Sequence, residues 1–509
     1  MEMKTAVLFV LCLAAAAAPG FPGDFAADRY LGPARGKLFD AYFAEIMGGN
    51  AGAAEGARRL GTEISKEAAR TRARFLAAEK KEDVYYALLS LRNLLHEPHA
   101  YFGFPGELRP EVKRISVPLS LRPRAVSGAA MEIVPAGRFP GIPEGAVLRA
   151  YNGRKLEEVL YEYLEWHEDA SRESLYAGFA RWLTRRDLER HPPFGTRRLS
   201  FLFSGPEGKN FEIVLPPSEI AGTQEEEPDP KTREYAGLEP VDSGEQYDLF
   251  RIPGTEALVL RYTSFLYSVN KAGEKSPVSP ALRELADAGK LRKKLFAPGY
   301  SVLLLDLREN PGGQFPYGLL ALLSGKEVRL PYRRFAYTPL ALRDREFLRS
   351  FFAKGVSPRM AREIEAGAVP GADLSASFSF DCADEACGGK TFLPEPDSDR
   401  REYRVYALSG PGCASSCEQF LSVFRANALG KVAGLPSRGS SVPFHAVRRF
   451  YLHDGTPFFI RFKGGVTFGP DGKALDAEPP RPDLYVFPQG DDGLRELISA
   501  VIGDVPKDR

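Results

Sequence analysis

Cys413-Ala414-Ser415-Ser416-Cys417-Glu418 sets one hydroxyl, that of Ser415, among small side chains, two cysteines and a carboxylate. The flanking residues suggest how such a hydroxyl could act. Val405 to Leu408 is an apolar run short enough for a buried strand, and Gly410, Pro411 and Gly412 stop it. Phe420, Leu421, Phe424 and Ala428 then recur at helical spacing. Tyr403 to Gly434 therefore reads as strand, sharp turn and helix. A serine at that junction has backbone N–H groups beside it for a developing oxyanion, which suits a nucleophile; the plainer reading is a helix N-cap.

A similar junction follows the apolar run Val302 to Leu305. Asp306, Arg308, Glu309 and Asn310 lead there into paired glycines, Gly312 and Gly313. Such a pair lets the backbone approach a ligand closely and present N–H groups, or merely serves a turn that needs positive φ. Cys382, Cys387, Cys413 and Cys417 allow three disulfide pairings, among which the sequence does not choose. A bridge between the two that bracket Ser415 would fix or redox-gate its turn; otherwise they are small buried side chains. The cysteine spacings are not C-x-x-C and no histidine lies close in sequence, so neither zinc nor any cofactor is expected.

The elements that must position these residues fall into consecutive blocks. At 509 residues the chain is too long for one ordinary core, and 44% hydrophobic with 27% charged residues is the composition of a folded, soluble protein. A formal charge of +1 without a basic stripe argues against nucleic acid as a partner. Met1-Glu2-Met3-Lys4 followed by the apolar run Ala6 to Ala18 reads as a signal peptide over 1–18, too short to span a bilayer. Cys12 lacks the small preceding residue of a lipidation site. The mature chain is expected without a membrane span, in the periplasm or outside the cell, where disulfides persist.

Residues 24–112 form a helical subdomain, with Leu38, Tyr42 and Ile46 on one helical face and Tyr85, Leu88 and Leu89 on another. Residues 113–217 are β-rich. Ile115 to Leu119 opens this block, a strand within Ile142 to Gly153 ends in an Asn152-Gly153 turn, and alternating strands run over Arg198 to Ser204 and Asn210 to Leu215. The block resembles a PDZ domain, although its helix over Leu156 to Arg190 is longer than PDZ domains use. Residues 218–246, with Glu225-Glu226-Glu227-Pro228, form an exposed linker, and residues 247–509 alternate strands and helices in an α/β pattern with a loop-rich insertion over about 360–401. The fold class is thus a multidomain α+β chain.

Asp306-Leu307-Arg308-Glu309-Asn310-Pro311-Gly312-Gly313, then Ser415 three residues before Glu418, then Asp471-Gly472-Lys473-Ala474-Leu475-Asp476 and Pro482-Asp483 resemble the C-terminal processing (tail-specific, S41-type) serine peptidases. Order and separations agree from about Tyr247 to Val486. The resemblance implies a ClpP/crotonase-like α/β core, Ser415 as nucleophile, and an oxyanion hole from the N–H of Ser416 with that of Gly312 or Gly313. Many members use a lysine about 25 residues after the serine; Ser440 stands there, so a serine–lysine dyad is not expected.

Leu91 to Phe102 resembles instead the L-x-x-x-H-[AT] segment of the histidine-dependent branch, that of the tricorn core protease and the chlamydial protease-like activity factor, which assigns His99 as general base. Imidazole suits that task because its ordinary pKa lies near working pH. His96 is the near rival, with His445 and His453 more distant ones. Aligning Pro482-Asp483 with the family pattern puts Asp476 in the place of the orienting acid, with Glu478 as the alternative, and Asp306, Arg308 and Glu418 in support of the site. The resemblance implies an exported peptidase acting on proteins or peptides, with homo-oligomerisation left open. The competing class is an inactive peptide- or ligand-binding protein on the same scaffold.

Overall fold

The computed structural model describes residues 27–51, 63–94, 102–111, 114–126, 131–167, 171–219, 235, 237–267, 279–352, 357–375, 377–379, 391–392, 403–439, 445–475, 480–488 and 493–504. A seven-stranded sheet carries the Ser415 turn. Its strands lie side by side in chain order: Glu239–Ser243, Tyr247–Arg251, Ala257–Tyr262, Val302–Asp306, Arg404–Ser409, Lys431–Gly434 and Leu484–Tyr485. The first three pair antiparallel, and from Ala257–Tyr262 onward every pairing is parallel.

The central residues of the parallel strands are apolar because both faces are covered. Leu303, Leu305, Val405 and Ala407 face one layer, formed by helices Pro280–Leu295, Tyr317–Leu323 and Ser416–Ala426 through Leu291, Leu320, Phe420 and Phe424. Leu304, Tyr406 and Leu408 face the other way, onto Leu494, Ile498 and Val501 of helix Gly493–Asp504. Period-two alternation divides one strand between two cores. Parallel pairing also brings the carboxyl ends of Val302–Asp306, Arg404–Ser409 and Lys431–Gly434 to one edge, where open α/β sheets place their sites.

A second core is assembled from distant parts of the chain. Helices Arg35–Gly49, Ile64–Ala77 and Lys81–Asn93 bury Tyr42, Ile46, Phe75 and Leu88. The same cluster takes in Phe335, Phe347 and Phe351, as well as Phe450, Phe458 and Phe462 from the hairpin His445–Tyr451 and Pro457–Lys463. Strand Phe102–Gly103 joins that hairpin, with Phe102 opposite Ile460. Aromatic side chains are large enough to make such a shared core from short, scattered segments.

In the β-rich block, Asn152 (φ 50°) and Gly153 (φ 73°) form the turn between Val147–Tyr151 and Arg154–Lys155, and Leu199–Ser204 pairs with Asn210–Leu215. The long helix expected over Leu156 to Arg190 is instead two helices, Leu156–Leu164 and Arg172–Thr184, followed by strand Arg185–Asp187. Ser171 starts the second helix by accepting a hydrogen bond from Ser174 N at 3.2 Å, within the polar run His167 to Ser174 that interrupts the apolar spacing. No described helix is long and apolar enough to cross a membrane.

Phe335 is fully buried, with its ring 5.2 Å from that of Phe351 and 5.6 Å from that of Tyr337. Phe335→Ala should lower stability by about 3–5 kcal/mol in urea unfolding. A loss under about 1 kcal/mol would show that the segment around it is not part of the shared core.

Candidate active site

Ser415 lies between strand Arg404–Ser409 and helix Ser416–Ala426 with φ 57° and ψ −123°. That conformation costs a non-glycine residue roughly 1–3 kcal/mol and persists only where the surroundings enforce it. They do so here: Cys413 and Cys417 are joined by a disulfide with their Cα atoms 5.5 Å apart, Cys417 N donates to Ala414 O at 3.0 Å, and Glu418 N donates to Ser415 O at 3.1 Å. Cys413, Ala414, Ser416 and Cys417 are buried, while Ser415 is half-exposed. Its side chain makes no capping hydrogen bond, so the hydroxyl is not engaged as an N-cap.

The glycine turn is pressed against this junction. A Cβ on Gly312 (φ 89°) would come within 2.6 Å of Ala414 O and 2.9 Å of both Ser415 Cβ and Ser416 N, which only glycine allows. Ala414 N donates to Asn310 O at 3.1 Å, and Leu307 N to Leu408 O at 3.0 Å, stitching the two turns together. Gly313 (φ 140°) lies against Phe265 on its other side. Of the two glycine amides, that of Gly312 donates to Asn310 Oδ1 at 2.8 Å, whereas those of Gly313 and Ser416 donate to no acceptor among the described residues.

Asn310 is the participant that the motif named without giving it work. Its Nδ2 donates to Tyr262 O at 3.0 Å while its Oδ1 holds Gly312, so one buried amide ties the turn to the neighbouring strand. Asparagine two residues before a glycine is an Asx-turn signal that could have revealed this.

Asp306 accepts from Arg308 Nε at 2.9 Å, Arg308 Nη2 at 2.8 Å and the Tyr235 hydroxyl at 2.6 Å. Burial works to raise its pKa, but the Arg308 charge and these hydrogen bonds outweigh burial and hold the carboxyl below its ordinary value. Glu418 is fully buried and accepts the Gly439 N–H, and Arg438 N donates to Cys413 O at 3.0 Å, so the segment after Lys431–Gly434 is also docked on the serine turn. Asp483 accepts from Val432 N at 2.8 Å and pairs with Arg425 at 3.1 Å.

His99, His96, Ser440, Asp476, Glu478, Cys382 and Cys387 lie outside the described residues. Of the distant histidines, His445 Nε2 lies 2.8 Å from Arg461 Nη2 on the surface, and the His453 ring is packed against Gly32. No group of three or more metal-binding side chains occurs among the described residues.

The parallel sheet, the turn with paired glycines and the serine junction belong to a fold that recurs among solved structures. Mature CPAF shares that fold, with a TM-score of 0.62 and 14% identity over 92% of this chain and 95% of that chain. Mature CPAF complexed with lactacystin gives a TM-score of 0.60 at 14% identity over 92% and 97%, and a serine-to-alanine mutant of CPAF gives 0.57 at 14% over 92% and 96%. No protein-family model matches the sequence, and no curated protein does.

Because the Asp306 carboxyl is held below its ordinary value, its contribution to stability is complete above the ordinary carboxylate range and is lost as pH falls through the depressed value. Asp306→Asn should therefore cost roughly 3 kcal/mol at neutral pH, by leaving Arg308 without its buried partner. The gap to wild type in a pH series of urea unfolding should narrow toward acid. A gap that does not change with pH would mean that the ion pair is not its source.

Proposed function

We propose that the protein is an exported serine peptidase of the C-terminal processing family, cleaving proteins or peptides through an acyl-enzyme at Ser415. The observation that carries this reading is a half-exposed serine in left-handed backbone, its hydroxyl uncommitted to capping, pressed against a double-glycine turn. In this reading Ser415 Oγ attacks the scissile carbonyl carbon and passes its proton to His99. The C–N bond then breaks as His99 returns the proton to the leaving amine, and water hydrolyses the resulting ester. Asp476, or Glu478 in its place, orients the imidazole. The oxyanion lies between the N–H of Ser416, at the positive end of a helix, and the N–H of Gly313, since that of Gly312 is held by Asn310. Asp306, Arg308 and Glu418 hold the turns in place and do not react. The fold shared with mature CPAF, and the motifs that match the histidine-dependent branch, support the assignment.

Hydrolysis of casein by the mature chain tests it. Ser415→Ala and His99→Ala should each lower kcat by roughly 10⁴-fold or more while leaving the circular dichroism unchanged. Turnover retained by Ser415→Ala would remove the nucleophile assignment, and binding of casein without cleavage by any form would favour the non-catalytic class.

Gly313→Ala offers an independent check, because the added Cβ would meet the Phe265 carbonyl carbon at 2.3 Å and displace the N–H. A fall of about 10²-fold or more in kcat with little change in KM is expected. An unchanged kcat would exclude this amide from the oxyanion hole.

A further inference from the structure

A recess of about 350 Å³ lies among helices Leu156–Leu164 and Arg172–Thr184 and strands Arg114–Ser116 and Arg185–Asp187. Its described walls carry five arginines, Arg114, Arg181, Arg185, Arg190 and Arg438, against one carboxylate, Asp187. Such an excess in a concave surface focuses positive potential. Burial and then the charges of Arg114 and Arg181 push the Arg185 pKa down, and burial followed by Arg186, Arg190, Arg92 and His167 pushes His191 well below its ordinary value. Their neighbours are predominantly of one sign.

The second observation concerns donors. Trp182, a wall of the recess, is 2% exposed, and its Nε1–H meets no acceptor among the described residues. Arg186, which does not itself line the recess, is 4% exposed, with its guanidinium 3.2 Å from the centroid of the Trp182 ring and with Nε and Nη1 likewise without an acceptor among the described residues. A buried donor left unsatisfied costs about 1–3 kcal/mol, so the Trp182 N–H in the wall of a cationic recess suits an acceptor-rich ligand. Guanidinium forks match the oxygens of carboxylate and phosphate alike, but an excess of cations this large balances a multiply charged anion better than a single carboxylate.

We propose that this recess binds a multiply charged oxyanion of the phosphate class, held by the arginine forks with the Trp182 indole N–H as a further donor. Arg438 links the ligand to the serine turn: it lines the recess, its N–H donates to Cys413 O at 3.0 Å, and its carbonyl accepts from Ser171 N at 3.1 Å. Binding here does not depend on peptidase activity and is measured without it.

The chain has 2 tryptophans, Trp166 and Trp182, and both line the recess, so intrinsic fluorescence reports its occupancy directly. The mature chain is titrated with inorganic phosphate at constant ionic strength, with tripolyphosphate, and with a phosphoserine peptide beside its unphosphorylated and glutamate-substituted forms. A saturable change with a phosphate-bearing ligand is expected, about ten-fold weaker in Arg181→Gln and in Arg190→Gln, whose side chains are solvent-exposed and whose folding is checked by circular dichroism. Tighter binding of the phosphopeptide than of phosphate assigns the anion to a peptide, and the reverse assigns it to a free ion. No saturable response, an equal response in both variants, or an equal response to chloride or to the glutamate peptide would overturn the proposal.

Discussion

The packing of Gly312 against Ala414, Ser415 and Ser416 is the constraint on which the rest of this site depends. Two strand-to-helix turns, over a hundred residues apart in sequence, can meet this closely only if one presents backbone without a side chain. Their strands, Val302–Asp306 and Arg404–Ser409, are parallel neighbours in register, with Asp306 opposite Leu408, so both chains leave the sheet at the same level. The contact follows from the pairing, and the pairing is held by burial on two faces.

Everything packed around the contact restrains it further. Asn310 holds the amide of Gly312, the Asp306–Arg308 pair fixes the start of the same turn, and the Cys413–Cys417 bridge closes the serine turn on itself. Glu418 and Cys413 hold the segment of Arg438 and Gly439 from the far side. The cost of left-handed backbone at Ser415 is met by these restraints together, which is how strained positions are retained in folded proteins. The same segment brings Arg438 to the cationic recess, so the serine turn and the recess share a wall.

Much of this was legible beforehand for local reasons. The buried strands announced themselves as short apolar runs, the Asn152-Gly153 turn by its residue types, and the serine and glycine junctions by small residues between a strand and a helix. Leu156 to Arg190 is expected as one helix, although between Trp166 and Leu175 only Ala170 is apolar and Ser171 caps a new helix there. The polar run from His167 to Ser174 was the local mark of the break. The shared aromatic core was hidden, because Phe335 and Phe458 join the cluster of the N-terminal helices only through pairings with no local signature.

The sequence by itself determined which groups can do chemistry and which segments must be buried, since residue type and periodicity are local properties. It could not decide which of two adjacent glycine amides is taken up by Asn310, which cysteines join, or that arginines from widely separated positions line one recess with two tryptophans. Those outcomes rest on contacts between residues far apart in the chain. Only the tertiary structure, through parallel pairing and close packing, selects among them.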